Sequence, residues 1–327
     1  MSEGTTRIAA PAMRDGVFRF LLEVAAKVIG TITPSYAIIV WEYFRQFGEV
    51  RLFLFPRTFN ELIQHRKLFN RNPLLPRTTD KYAARAYVGE KIGEQHLVPL
   101  YAVADDPESI DYAALPLPFV AKATHGCGFN IFIRDRNELE REKIVAALQR
   151  FLTIDWSTFN QQWAYRGIAR RIIVEKMLSV RGEIPADYKF FAFHGRVRLI
   201  QYDIGRHTGH MTKNTFDEAW RPLAVEYFSP RAVEPIEKPT CLAEMIRISE
   251  TLAADFDFVR VDLYLVDGRI YFSELTHYPN AGLSGFMPRD FDRALGDVWR
   301  LGTPIPQKYY LTGTAGTRGA GGAIAHR

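Results

Sequence analysis

The stretch Asp257–Gly282, DFVRVDLYLVDGRIYFSELTHYPNAG, decides how the chain is read. Two alternating runs, Phe258–Val266 and Arg269–Thr276, flank Asp267-Gly268, a dipeptide that favours a tight hairpin turn. Each run carries one acid among apolar and aromatic residues, Asp262 in the first and Glu274 in the second. Burying such acids is costly unless a cation or hydrogen-bond donors compensate them, so the hairpin asks for a positive partner, most sharply a divalent metal. Turn length then matters, because directly opposed residues of an antiparallel pair share a face. A strict two-residue turn pairs Val266 with Arg269 and sends Asp262 and Glu274 to opposite faces. A three-residue or bulged turn lets them converge. A shared metal therefore predicts a turn of odd length.

At 327 residues the chain is long enough for two or three subdomains with sizeable cores. Two cysteines, Cys127 and Cys241, are too few and too far apart for a disulfide framework or a thiolate metal site, which fits a reducing, cytoplasmic setting. The net charge of +5 is uneven: residues 1–91 hold 14 Lys+Arg against 8 Asp+Glu, leaving 28 against 29 for the rest. That distribution argues against a nucleic-acid groove along the whole protein and leaves room for a local patch facing phosphate, an acidic substrate or an anionic membrane. A solvated basic face is the plainer alternative. No HxH or HExxH spacing among His125, His194, His207, His210 and His277 suggests zinc.

Working back from the hairpin, Thr240 reads as the cap of a helix through Ala254, and Pro222–Pro239 reads as extended. Tyr188–Phe193 and Val197–Tyr202 flank His194-Gly195 and form a second hairpin, with Lys189 on its first strand. Gly205–Asn214 reads as a mobile loop. Arg171–Leu178 (RIIVEKML) reads as a strand interrupted by Glu175-Lys176, and Asn137–Leu152 as a helix. Pro118–Ala123 (PFVAKA) reads as a buried strand that runs into the glycine loop His125-Gly126-Cys127-Gly128-Phe129, with Asn130–Arg134 returning. With Lys122 just before it, such a loop is able to fold its backbone N–H groups over phosphates, although most GxG loops are plain turns. The order matches neither a Walker A motif nor a Rossmann fingerprint.

Further upstream, Thr79-Asp80 precedes a helix over KYAARAYVGEKIG, with Lys81 in its first turn, where a cation opposes the helix dipole. A helix is also expected after Arg57. Gly16–Ile32 is apolar apart from Arg19, Glu23 and Lys27, spaced four apart on one helical stripe. It reads as an amphipathic helix whose apolar face either packs on the protein or lies on a bilayer; its charges and length argue against a membrane span. Residues 1–15 show no signal-peptide pattern, and the tail from Leu311 reads as disordered.

Taken together, Lys81, Lys122 before HGCG, the VEKML strand, Lys189, Arg260-Val261-Asp262, and Glu274-Leu275-Thr276 with Pro279 and Gly282 resemble an ATP-grasp enzyme, in the order found in D-alanine:D-alanine ligase. More closely, DKYAARAYVGEKIG, PFVAKATHGCG, DYKFFAFHGRVRLIQ and RVDLYLVDGRIYFSELTHYPNAG are similar to the TupA-like ATP-grasp proteins, a family associated with teichuronopeptide and other surface-polysaccharide biosynthesis. The resemblance covers about residues 70–300. It implies an α+β fold, two subdomains clasping ATP after a helical N-terminal region. The divisions would be an extension over 1–70, an N-terminal lobe over 71–117, a small subdomain with the glycine lid over 118–180, a C-terminal subdomain with the metal hairpin over 181–310, and a tail over 311–327.

By the same resemblance Lys81, Lys122 and Lys189 would contact ATP phosphates, and the loop carrying His125, Gly126 and Gly128 would close as a lid. Glu175 lies on the adenine strand, where backbone groups near Lys176 and Leu178 would read the adenine edge, and Glu183 would reach the ribose. Asp262 and Glu274 would hold Mg2+, and Arg260 would bind a substrate carboxylate or acyl phosphate. One departure stands out: ATP-grasp enzymes commonly carry Glu-x-Asn where this chain has Glu274-Leu275-Thr276, which leaves a second Mg2+ to Glu274 alone, to water or to Asn280.

The implied activity is ATP- and Mg-dependent carboxylate–amine ligation through an acyl phosphate. Its expected partners are an acidic small molecule or glycan and an amine donor, with no nucleic acid. The expected location is cytoplasmic, either free or peripheral at the inner face of the membrane through residues 16–70. The rival readings are an ATP-grasp phosphotransferase acting on a sugar, a glycosyltransferase of polysaccharide biosynthesis, and a binding module without catalysis.

Overall fold

The computed structural model describes residues 34–205, 211–232 and 234–311. The expected amphipathic helix over Gly16–Ile32, residues 206–210 of the expected loop and the tail beyond Leu311 lie outside the described residues. The helices are α1 (Pro34–Phe47), α2 (Phe59–Phe69), α3 (Leu74–Thr79), α4 (Ala83–Ile92), α5 (Arg141–Thr153), α6 (Leu242–Ala253) and α7 (Phe291–Leu301). The strands are β1 (Leu100–Ala104), β2 (Phe119–Ala123), β3 (Asn130–Ile133), β4 (Ile172–Lys176), β5 (Asp187–Phe193), β6 (Arg196–Ile204), β7 (Thr212–Phe216), β8 (Glu226–Tyr227), β9 (Phe258–Val266), β10 (Arg269–Thr276) and β11 (Phe286–Met287). The architecture is α+β, with every strand pair antiparallel.

Two sheets frame the molecule: a four-stranded sheet ordered β1-β4-β2-β3 and a five-stranded sheet ordered β10-β9-β5-β6-β7. In the first, alternation sends Phe119, Ala121, Ala123, Ile172 and Val174 into one core with Ile144, Val145 and Leu148 of α5. The same alternation turns Val120, Lys122, Ile173 and Glu175 to the opposite face. In the second sheet, Phe191, Phe193 and Phe258 pack around Phe59 of α2 and Trp299 of α7.

Three expectations about boundaries change. Helix α2 belongs to the main core and not to a separate extension, because the ring of Phe59 fills the space between the sheet and α7. Thr58 starts α2 with a full capping box to Glu61. Its Arg66 then reaches across to the carbonyl of Phe258 at 2.8 Å and lies 4.6 Å from the Trp299 ring. Strand β1 pairs with β4, so the sheet of the small subdomain draws its edge from the segment read as the N-terminal lobe. Thr212–Asn214, read as loop, form the start of β7, whose Lys213 pairs with Asp203 and Asn214 with Tyr202. The starts of two helices also move: α5 begins at Arg141 after a short 3-10 turn, and α6 has Cys241 at its N-cap in place of Thr240, without a side-chain cap.

The β9–β10 hairpin overturns the expected odd-length turn. Asp267 and Gly268 both have positive φ, 49° and 74°, and Val266 pairs directly with Arg269. This is the two-residue turn that alone would send Asp262 and Glu274 to opposite faces. The correction comes further along: Phe272 pairs with Leu263, then Glu274 pairs with Asp262, and Ser273 is the extra residue. A β-bulge at Ser273 therefore does what a longer turn would have done.

Helices α2 and α7 meet closely at Gly296, where an added Cβ would lie 2.2 Å from the Arg57 carbonyl oxygen and 2.8 Å from backbone atoms of Thr58. Gly296→Ala must push α7 away from the start of α2, an overpacking defect that costs about 1–3 kcal/mol. A lowered urea midpoint with unchanged slope would show it; an unchanged midpoint would contradict the packing described.

Candidate active site between the two sheets

A cavity of about 390 Å3 lies between the sheets, within the size range of small-molecule sites. The four-stranded sheet contributes Val120, Lys122, Ile173, Glu175 and Lys176, and the hairpin contributes Asp262, Phe272, Ser273 and Glu274. Apolar walls with a few converging charges suit a flat ring at one end and a polyanion at the other. Lys81, Cys127, Gly128 and Leu178 complete the lining named by the sequence.

On the hairpin side, register builds a polar row. Glu274 opposes Asp262, Asp262 opposes Lys189, and Lys189 opposes Gln201, so four strands place these side chains on one face. Arg260, two residues before Asp262, shares it. Its Nε donates to Asp262 Oδ1 at 2.7 Å, and its Nη2 donates to Asp262 Oδ2 at 2.6 Å, Glu274 Oε1 at 3.1 Å and Thr276 Oγ1 at 3.0 Å. Thr276 in turn donates to Glu274 Oε1 at 2.9 Å. The Lys189 ammonium sits 3.0 Å from Asp262, 3.5 Å from Asp187 and 3.8 Å from Asp203. Lys189 thus has three carboxylates around it, a setting that the phosphate role implied by the resemblance did not include.

These charges set the acid–base state. Burial alone would raise the carboxyl of Glu274, yet Lys81, Arg260 and Lys189 together with the Thr276 hydrogen bond hold it down to about 2. Burial works against the charge of Arg260, and Asp262 and Glu274 more than offset it, holding its pKa above the ordinary range. Burial pushes Asp262 up while Arg260 and Lys189 pull it down, and the net direction is upward.

On the other wall, Lys122 donates to Glu175 Oε2 at 2.8 Å and Arg85 to Glu175 Oε1 at 2.7 Å. Lys122 is therefore paired, and Glu175 acts as its anchor. Lys81 donates to the Gly126 carbonyl, which ties the glycine loop to the start of α4. His125 is buried, its Nε2 3.2 Å from the Ile154 carbonyl and its ring beside Phe129; burial and the charge of Arg170 lower its pKa. Gly126 is required, since a Cβ there would lie 2.4 Å from the Phe129 ring.

Six of the residues singled out by the resemblance do not line this cavity: His125 and Gly126, next to the lining residue Cys127; Lys189 and Arg260, which contact the lining residue Asp262; and Glu183 and Asn280. Glu183 is exposed on a turn with Val180, and Asn280 is exposed, its side chain bonded to Tyr227, so neither lines the space between the sheets. Three residues join the site that the sequence reading passed over. Arg85, four residues after Lys81, and Asp187, two before Lys189, had spacing as an available signal. Asp203 had none, because only cross-strand register brings it near Lys189.

Asp262 and Glu274 are hard oxygen donors on directly opposed residues, which suits Mg2+ with water and phosphate oxygens filling its shell. Among the described residues no group of three or more His, Cys, Asp or Glu side chains is arranged to hold a metal.

Two stability measurements follow. Thr276→Val removes the hydroxyl shared by Arg260 and Glu274 and should cost about 1 kcal/mol. Because Glu274 titrates lower in the folded chain than its ordinary 4.5, its contribution is complete above about pH 4.5 and disappears as pH falls toward 2. Glu274→Gln should therefore be less stable than wild type at pH 7, with the gap closing between pH 4.5 and 2. A gap independent of pH would show that the charge cluster does not act on Glu274.

A family model described as TupA-like ATP-grasp matches residues 61–300. No curated protein is matched by the sequence. Among solved structures, the chain is similar to an L-amino acid ligase from Bacillus licheniformis (15% identity, 74% of this chain and 55% of that one, TM-score 0.45). It is also similar to D-alanine–D-alanine ligase from Bacillus anthracis complexed with ATP (16%, 62% and 54%, 0.37). A third is the ATP-grasp ligase PsnB in complex with a precursor variant, Mg and ADP (12%, 69% and 59%, 0.40). The chain spans a little over half the length of these three. Among the described residues no helix is long and apolar enough to cross a membrane. With the family model spanning the glycine loop, both sheets and the carboxylate hairpin, the chain belongs to the TupA-like ATP-grasp family.

Proposed function

We propose that the protein is an ATP- and Mg-dependent carboxylate–amine ligase that acts through an acyl phosphate and adds an amino acid to an acidic glycan or peptide in surface-polysaccharide biosynthesis. The observation that carries the reading is the opposition of two charge systems across one cavity, Lys122 with Lys81 on one wall and Glu274 with Asp262 on the other. A nucleotide would lie between them, its base against the apolar wall by Lys176–Leu178 and Phe272, its phosphates toward the lysines. Bound Mg2+, held on the cavity side of Glu274 while Arg260 and Lys189 engage Asp262 behind it, would neutralise phosphate charge.

In the first step a substrate carboxylate oxygen bonds to the γ-phosphorus and the bond to the β-phosphate oxygen breaks, releasing ADP. In the second, an amine attacks the acyl carbon, phosphate leaves, and the nitrogen loses a proton to solvent or a nearby base. Lys122, Lys81 and Arg260 stabilise the negative charge that shifts between oxygens, and the pairing of Lys122 with Glu175 keeps its ammonium aimed at the cavity. No covalent bond to the chain is needed, which leaves the exposed Cys127 without a required nucleophilic role.

The test is ADP release over amino acids crossed with uronic acids and acidic glycans, with product analysis. Lys122→Met and Asp262→Asn should each lower turnover by about 100-fold or more while the circular dichroism spectrum is kept. Retained turnover in both variants would sink the assignment. A phosphorylated sugar without phosphate release would establish the phosphotransferase instead, and turnover of a nucleotide sugar without ATP would establish the glycosyltransferase.

A further inference from the structure

One nitrogen of Arg260 sits in a shell of oxygens. Nη2 lies 2.6 Å from Asp262 Oδ2, 3.1 Å from Glu274 Oε1 and 3.0 Å from Thr276 Oγ1. These oxygens come from two neighbouring strands and converge as ligands do around a cation. Thr276 cannot turn elsewhere without loss, because its proton goes to Glu274 at 2.9 Å while its lone pair accepts from Arg260. Asp262 is closed off as well: Arg260 takes both of its oxygens, Lys189 shares Oδ2 at 3.0 Å, and its side chain is only 1% exposed. Glu274 differs, with 34% of its side chain exposed where it lines the cavity.

We infer that the centre takes one divalent cation, on the cavity side of Glu274, and that Arg260, strapped by Thr276, fills from within the chain the position a second ion would need. This rests on the ATP-grasp reading above. A second ion would have to break four hydrogen bonds from a buried guanidinium, three of them to carboxylates and among the strong kind, and leave that guanidinium uncompensated. Magnesium, which gives up its water reluctantly, is poorly suited to that exchange. The Thr276 hydroxyl is the element that makes the difference: it accepts from the guanidinium and donates to the carboxylate, closing the shell.

The test counts Mn2+ bound to the full chain by electron paramagnetic resonance and equilibrium dialysis, with saturating β,γ-imido-ATP. Wild type should bind one Mn2+ per chain and Arg260→Met two, while Arg260→Lys, which keeps a positive charge there, should stay at one. Two ions on wild type would overturn the inference and leave the ligase reading standing, whether or not the variants fold. A folded Arg260→Met that stays at one ion would overturn the role given to Arg260. Failure of wild type to bind either the nucleotide or Mn2+ would overturn the ATP-grasp reading, and this inference with it.

Discussion

A buried guanidinium between two carboxylates is the interaction on which the rest depends. Asp262 and Glu274 belong to adjacent strands of an apolar sheet, and neither would be tolerated there without Arg260 and Lys189 beside it. The bulge at Ser273 makes the grouping possible, because without it Glu274 would oppose Val261 and face away from Asp262. Helix α2 then fixes where the strand begins, through Arg66 to the Phe258 carbonyl and to Asp257 at 2.5 Å. The open end of the hairpin is thus held twice, by Arg66 through a carbonyl and an ion pair at its start and by the charge cluster just beyond.

Both walls of the cavity use the same device, a charge of one sign held by partners of the other. Glu175 is clasped by Lys122 and Arg85, as Asp262 is by Arg260 and Lys189. Each cluster is satisfied internally, so the cavity is built and its charges aimed without a ligand. The tie from Lys81 to the Gly126 carbonyl extends this arrangement to the glycine loop. A nucleotide entering the cleft would draw Lys81 and Lys122 partly away from these oxygens toward its phosphates, so binding would exchange contacts instead of assembling a site from solvated side chains.

Much of this was legible in the sequence because it rests on local rules. Alternation marked both strands of the β9–β10 hairpin to the residue, and Asp-Gly marked a turn whose positive φ values fit those residues. Lys122, Glu175, Lys189, Arg260, Asp262 and Glu274 were visible as charges inside otherwise apolar strands. What stayed hidden rests on register and tertiary contact. Nothing local distinguishes Ser273 as a bulge from Ser273 as an ordinary strand residue; the turn took the shape its dipeptide favours, and the sheet absorbed the mismatch further along. Asp203 reaches Lys189 only because β6 pairs with β5, and Arg66 meets the Trp299 ring only because α7 packs on α2. Glu183 and Asn280 were placed by analogy of motif, and the backbone at both positions takes them away from the cavity.

The central claim is that nucleotide binds between the two sheets with its phosphates shared by the Lys122 wall and the Glu274 wall. A crystal structure of the chain with Mg2+ and ADP tests it most directly. The account predicts the base against Lys176–Leu178, phosphate oxygens within hydrogen-bond reach of Lys122, and one magnesium about 2.1 Å from a Glu274 oxygen. A nucleotide bound elsewhere, or one in the cleft with no metal at Glu274, would contradict it.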